Sequence, residues 1–153
     1  MKPPRKMVAG VMLTLVVLLA GLSAYAQMKR PYRDGSVWTI AFIRMKPGME
    51  TAYLTYLAGD WKREQEALKS AGMVLSYKVL STEGHTAGDW NLLLMTEYKD
   101  LATMEANEQK AEAIAQKLIG SDEKQQQGYK ERTEIREIMG DRLAREIVLE
   151  PRQ

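Results

Sequence analysis

The sequence predicts an α+β domain, a four-stranded antiparallel sheet in the chain order strand, helix, strand, strand, helix, helix, strand. Three observations predict it. Two short runs, Val37–Met45 and Trp90–Met95, are apolar on both faces, as strands at the centre of a covered sheet are. A long stretch with apolar residues every three or four positions separates them, which is the spacing of a helix. A loop with two glycines, Glu83 to Gly88, joins the second strand to the third and reads as a hairpin connection.

Each element has its own justification. Val37–Met45 is rich in β-branched and aromatic residues, and Pro47-Gly48 stops it. Its faces are Val37, Thr39, Ala41, Ile43, Met45 and Trp38, Ile40, Phe42, Arg44. Gly48 to Ala71 carries Met49, Ala52, Tyr53, Tyr56, Leu57, Trp61, Ala67 and Leu68 at helical spacing, with Gly72 placed as a left-handed C-cap. Met73–Thr82 and Asp89–Glu97 are the second and third strands. Asp100 caps a helix that carries Leu101, Met104, Ala111, Ile114, Ala115 and Leu118 and ends at Gly120. Ser121 opens a charge-rich helix to about Met139, with Gly140 as its stop. Arg145–Glu150 alternates, meets Pro151, and is expected to be an edge strand.

Before these elements stand a targeting segment and a tether. Lys2, Arg5 and Lys6 precede an uncharged run from Met7 to Leu22, and Ala24-Tyr25-Ala26 has small residues where a signal peptidase needs them. The run is about 16 residues, against the roughly 20 that cross a hydrocarbon core. Residues 1–26 therefore read as a cleaved signal peptide. The chain is expected to be exported, periplasmic or secreted, with no stable membrane anchor after cleavage following Ala26. Residues 27–36 read as a polar, flexible leader and 37–153 as one domain. Of 22 basic and 20 acidic residues, the signal removes three bases and no acid, leaving a near-neutral chain with no electrostatic footprint for nucleic acid. With no cysteine there is no disulfide scaffold, thiolate metal site, iron–sulfur cluster or thiol nucleophile.

Right-handed crossovers place the strands in the order 4-1-3-2, with the two doubly apolar strands at the centre. The helices cover one face only. The other would expose Trp38, Ile40 and Phe42, and pairing with a second copy removes that liability, so a homodimer is expected.

On the element order, the Pro47-Gly48 opening, the glycine-containing hairpin and the late strand Arg145–Glu150, the chain resembles the dimeric α/β-barrel superfamily over roughly Val37 to Glu150. The resemblance implies a ferredoxin-like βαββαβ fold with an extra helix before the last strand, and two sheets closed into a barrel. The superfamily includes cofactor-free quinol or antibiotic-type monooxygenases, haem-degrading enzymes, stress-responsive proteins and exported members of no known activity. The haem-degrading relatives use an Asn, a Trp and a His together. Trp90, Asn91 and His85 do not match that motif residue by residue, and no catalytic role carries over.

The candidate ligand residues are Trp38, Phe42, Arg44, His85, Trp90 and Asn91, which the strand order gathers on one face and at its hairpin end. Arg44 must pair there or reach solvent, since a buried unpaired charge is costly, and an Arg44–Asp89 salt bridge is expected. Glu83, His85 and Asp89 are too few and too loosely placed for a metal, so no metal and no cofactor are expected. Tyr53, Tyr56 and Trp61 read as core, and Asp60 and Glu64 as a solvated flank with Glu64 paired to Lys or Arg. No Gly-rich phosphate loop, nucleophile elbow or zinc-binding His pair occurs. Three functions follow: a dimeric barrel binding a small apolar or aromatic molecule, a cofactor-independent monooxygenase of the quinol or antibiotic type, and a structural or interaction module without a ligand.

Overall fold

The computed structural model describes residues 30–83, 86 and 88–151. The signal segment 1–26 and His85 lie outside the described residues. Residues 34–148 form the main compact unit. Residues 30–33 and 149–151 belong to a second, held by the Glu150 N–H donating to the Pro31 carbonyl at 2.9 Å and by an Arg33–Glu150 ion pair at 3.8 Å.

Strand β1 is Tyr32–Met45. It starts five residues before the expected Val37, so part of the segment expected as a flexible leader is strand. Gly48, at φ +79°, turns the chain into a helix without the Cβ clash that a left-handed residue normally meets. Helix α1 runs through Glu50–Tyr56, a π-helical turn Leu57–Trp61, and Lys62–Ser70. In that turn the Lys62 N–H reaches back five residues to the Leu57 carbonyl. Gly72, at φ +72°, ends the helix as the sequence predicts.

Strands β2 (Ser76–Ser81) and β3 (Leu92–Tyr98) follow. Asp100 caps α2 (Leu101–Ala106), its carboxylate accepting from the Thr103 N–H at 2.6 Å. Helices α3 (Glu108–Ile119) and α4 (Asp122–Thr133) complete the layer. The charge-rich helix thus ends six residues short of Met139, and the last strand, β4, is Arg136–Leu149 rather than Arg145–Glu150. Ile135, Ile138 and Met139 have a spacing that suits a helix, but pairing with β1 decides in favour of a strand.

The sheet order is β2-β3-β1-β4, as the right-handed crossovers require. Val37 pairs with Tyr98 and Ile43 with Leu92 in an antiparallel ladder, and Ser76–Ser81 pairs antiparallel with Leu92–Glu97. β4 also runs antiparallel to β1: the Lys46 N–H donates to the Ile135 carbonyl at one end, and Ser36 reaches Glu146 at the other.

The core lies between the sheet and the helices. Ile43, Met45 and Leu92 pack on Tyr53 and Leu57 of α1, while Leu68, Met73 and Val74 form a second cluster beneath Ala111 and Ile114. The π turn itself contributes Leu57 and Trp61 to the first cluster, and Leu68 further along α1 serves the second. One polar pair is buried on the same side, the Thr96 hydroxyl donating to the Gln65 side-chain carbonyl at 3.2 Å.

Candidate functional site

Successive strand residues point to opposite faces. Since Val37, Ile43 and Met45 face the helices, Trp38, Ile40, Phe42 and Arg44 face away from them. The register adds Leu93 and Met95 of β3 and Leu80 of β2 to that open face. Glu137 of β4 meets Arg44 there, so Met139, Leu143 and Ile147 share the face by alternation, and all three are exposed. The result is an apolar sheet face without a covering layer among the described residues.

At the hairpin end of this face the structure brings together Phe42, Arg44 and Trp90. The Phe42 and Trp90 rings meet edge to face with centroids 5.2 Å apart. The Arg44 guanidinium donates to the Gly88 carbonyl at 2.8 Å and pairs with Glu137. The expected Arg44–Asp89 salt bridge is therefore not formed. The Asp89 carboxylate instead accepts from the Trp90 N–H at 3.0 Å, and the last strand supplies the counter-charge. Gly88 suits this turn because its φ is +90°, and a Cβ there would approach the Arg44 Nη1 to 3.2 Å.

Two predicted residues stand apart. Trp38 lies four positions away along β1, where the Lys78 ammonium sits 5.2 Å from its ring centroid. Asn91 serves the backbone. Its side-chain carbonyl accepts from the Met45 N–H at 2.8 Å and its amide donates to the Met45 carbonyl at 3.4 Å, extending the β1–β3 ladder past Leu92. An amide so engaged has little left for a ligand.

A second site lies on the other side of the sheet, and the sequence reading did not assign it. Between α1 and α4 is a cavity of about 400 Å³ whose walls include Tyr56, Asp60, Glu64, Tyr129 and Arg132. The Arg132 guanidinium stacks 4.5 Å from the Tyr56 centroid, and its Nε is buried with no hydrogen-bond partner. Arg136 lies 5.3 Å from the Tyr129 ring and 5.8 Å from the Tyr53 ring, and its Nε is likewise unpartnered.

Burial pushes the Glu64 carboxyl up from its ordinary range, with Arg132 opposing it. Burial also raises the Tyr56 and Tyr53 hydroxyls, against the pull of Arg132 and Arg136 respectively. The expected solvated flank therefore holds for Asp60 alone, which pairs with Arg63 at 2.7 Å. Among the described residues Glu64 has no ion pair within 4.0 Å. A signal for this site was present in the sequence. Tyr56, Asp60 and Glu64 recur every fourth residue, and Tyr129 and Arg132 recur at a helical spacing in an otherwise charged helix.

The order β2-β3-β1-β4, with helices packed on one face, decides the fold class. The fold is ferredoxin-like. No family profile matches the chain, and no curated protein matches it. Among solved structures it is similar to a dimeric ferredoxin-like protein from an uncultured marine organism, at 12% identity and a TM-score of 0.49, covering 78% of this chain and 92% of that one. It is also similar to a NIPSNAP family protein of unknown function from Agrobacterium tumefaciens, at 14% identity and a TM-score of 0.46, covering 76% of this chain and 90% of that one.

Proposed function

We propose that the protein is an exported homodimer whose two open sheet faces close on each other as a barrel, and that the barrel binds a small apolar or aromatic molecule at its Phe42–Trp90 end. The observation that carries this reading is the uncovered face itself: Trp38, Ile40, Phe42, Leu80, Leu93, Met95, Met139, Leu143 and Ile147 on one side of a single sheet. Most of these side chains are half-buried already, so covering each one removes roughly 1 kcal/mol of apolar exposure, about half the value for a fully exposed residue.

A second copy suits this face better than a charged partner. Arg44 and Glu137 stand at one end, and Lys78, Arg145 and Asp34 toward the other, so each end carries both signs and a two-fold mate meets no block of like charge. β1 and β4 also continue past the last β3 pair, Val37 with Tyr98, as a ribbon joined by Arg145–Asp34 at 3.3 Å. A two-stranded ribbon is marginal alone in water and gains from a surface to lie on. With Arg44 already tied to Gly88 and Glu137, the Phe42 and Trp90 rings are the contact surface left for a ligand. Export rests on the Lys2-to-Ala26 signal pattern.

Light scattering and native mass spectrometry of the chain expressed with residues 1–26 in place test the three parts together. The expected species begins at Gln27, has twice the chain mass, and retains a small organic molecule. Phe42→Asp is expected to give monomer or aggregate. A wild type that is monomeric at micromolar concentration overturns the barrel.

A further inference from the structure

We propose that the cavity between α1 and α4 is a binding site for a small aromatic anion, a carboxylate or phenolate, whose charge is held by Arg132 and whose ring lies against Tyr56 and Tyr129. It faces away from the sheet surface assigned to dimerisation, so it stands or falls independently of the barrel.

Arg132 is the first argument. A guanidinium presents its donors as a rigid fork that matches a carboxylate. Here the fork lies against a ring face, with no ion pair among the described residues and a buried Nε that has no acceptor. Buried donors without partners are uncommon because each carries a desolvation cost. An anion in the adjoining cavity offsets that cost by engaging the remaining guanidinium nitrogens, which are not buried in this way. The backbone also makes room for this group: a Cβ on Gly128 would come within 3.1 Å of the Arg132 Nη1. Glycine in the interior of a helix is unfavourable, so its presence on the helix face that carries Arg132 is in keeping with a reserved position.

The walls are the second argument. Tyr56 and Tyr129 supply aromatic surface, and about 400 Å³ lies within the range of small-molecule sites. A cation is disfavoured by the guanidinium, and Asp60 is already paired with Arg63. The groups facing Glu64 are Arg132 on α4, Tyr56 and Asp60 on α1, and Tyr98 on β3. A protonated Glu64 adds a donor toward an anion, whereas an ionised one repels it. Binding therefore takes up a proton, and affinity falls as pH rises through the range in which Glu64 ionises.

The test is an NMR titration of the chain from Gln27 onward with 4-hydroxybenzoate. Benzyl alcohol serves as a neutral probe and sodium sulfate as an anion without a ring. Saturable shifts are expected at the amides of Tyr56, Glu64, Tyr129 and Arg132. Arg132→Gln should weaken binding by about tenfold to a hundredfold, the loss of a charge-assisted hydrogen bond. Gly128→Ala should weaken it with the fold retained, and Glu64→Gln should bind while flattening the pH dependence. Absence of saturation at tens of millimolar, or equal binding by Arg132→Gln, overturns the site. Equal binding of benzyl alcohol overturns its charge preference, and equal binding of sulfate overturns its aromatic preference. If Arg132→Gln does not fold, the Gly128→Ala affinity and the wild-type pH profile decide, and a flat profile with unchanged Gly128→Ala affinity overturns the site.

Discussion

Replacing Arg44 with Met isolates the interaction that ties the hairpin end of the sheet together. The side chain makes two contacts of different worth. Its ion pair with Glu137 joins side chains that remain 30% and 45% exposed, and pairs of that kind contribute about 0–1 kcal/mol. Its 2.8 Å bond to the Gly88 carbonyl is charge-assisted, and hydrogen bonds to charged groups contribute about 1.5–3 kcal/mol. Partial exposure places it at the lower end. Arg44→Met should therefore cost about 2 kcal/mol, Glu137→Ala no more than about 1 kcal/mol, and their coupling should stay below about 1 kcal/mol. Urea unfolding followed by tryptophan fluorescence at fixed protein concentration is the assay, since Trp90 packs on Phe42 next to the site. Raising the salt to 0.5 M should remove the Glu137 contribution and leave most of the Gly88 one. A Glu137→Ala variant as unstable as Arg44→Met would show that the ion pair, and not the loop bond, holds this corner, and the reasoning would be refuted.

Four further outcomes follow from the same structure. Ile43, 1% exposed at the centre of the first core cluster, should lose about 2–5 kcal/mol on substitution by Ala in the same urea assay. Gly72→Ala should cost about 1–2 kcal/mol because its φ is +72°. Gly59→Ala, within α1 and with nothing within 4 Å of the new Cβ, should instead stabilise by about 0.5–1 kcal/mol, and a thermal melt ranks the two. Glu64 is pushed up by burial, so the folded chain keeps a proton that the unfolded chain releases, and stability falls as pH rises from the ordinary carboxyl range through the folded value. Glu64→Gln should remove that fall, with its gain over wild type appearing above the window and not below it, as read from melts across pH.

The strand order was legible because three local signals agreed with one global constraint. Pro47-Gly48, Gly72 and Asp100 each mark a boundary that the backbone respects, and crossover handedness then leaves one arrangement. The faces of β1 were legible for the same reason, since alternation leaves only two choices. The start of β4 was not. In Ile135 to Leu143 the apolar residues fall at a helical spacing, with Glu137 and Asp141 interrupting any alternation, and only pairing with a strand about a hundred residues earlier in the chain overrides it. A helix through Met139 removes Glu137 from the sheet and leaves Asp89 as the nearest acid to Arg44, whereas the strand puts Glu137 beside it. The cavity was less legible still, because Arg132 is one charge among many in α4, and its distinction comes from Gly128 and Tyr56, which only the fold places beside it.

The position of β1 carries a consequence for the order of events in folding. This strand lies between β3 and β4, so one of its two partners is the strand that emerges last. Contacts so distant in sequence form slowly, since the chain must close a long loop before the ladder rewards it. A chain emerging from its N-terminal end can form the α1 and β2–β3 region, but one edge of β1 stays open until residues 136–149 are free. Until then Trp38, Ile40 and Phe42 stand beside an unpaired backbone, a combination that favours strand-to-strand association between chains. Truncation at Gly140 would make that transient state permanent, and its expected product is insoluble protein rather than a smaller folded domain.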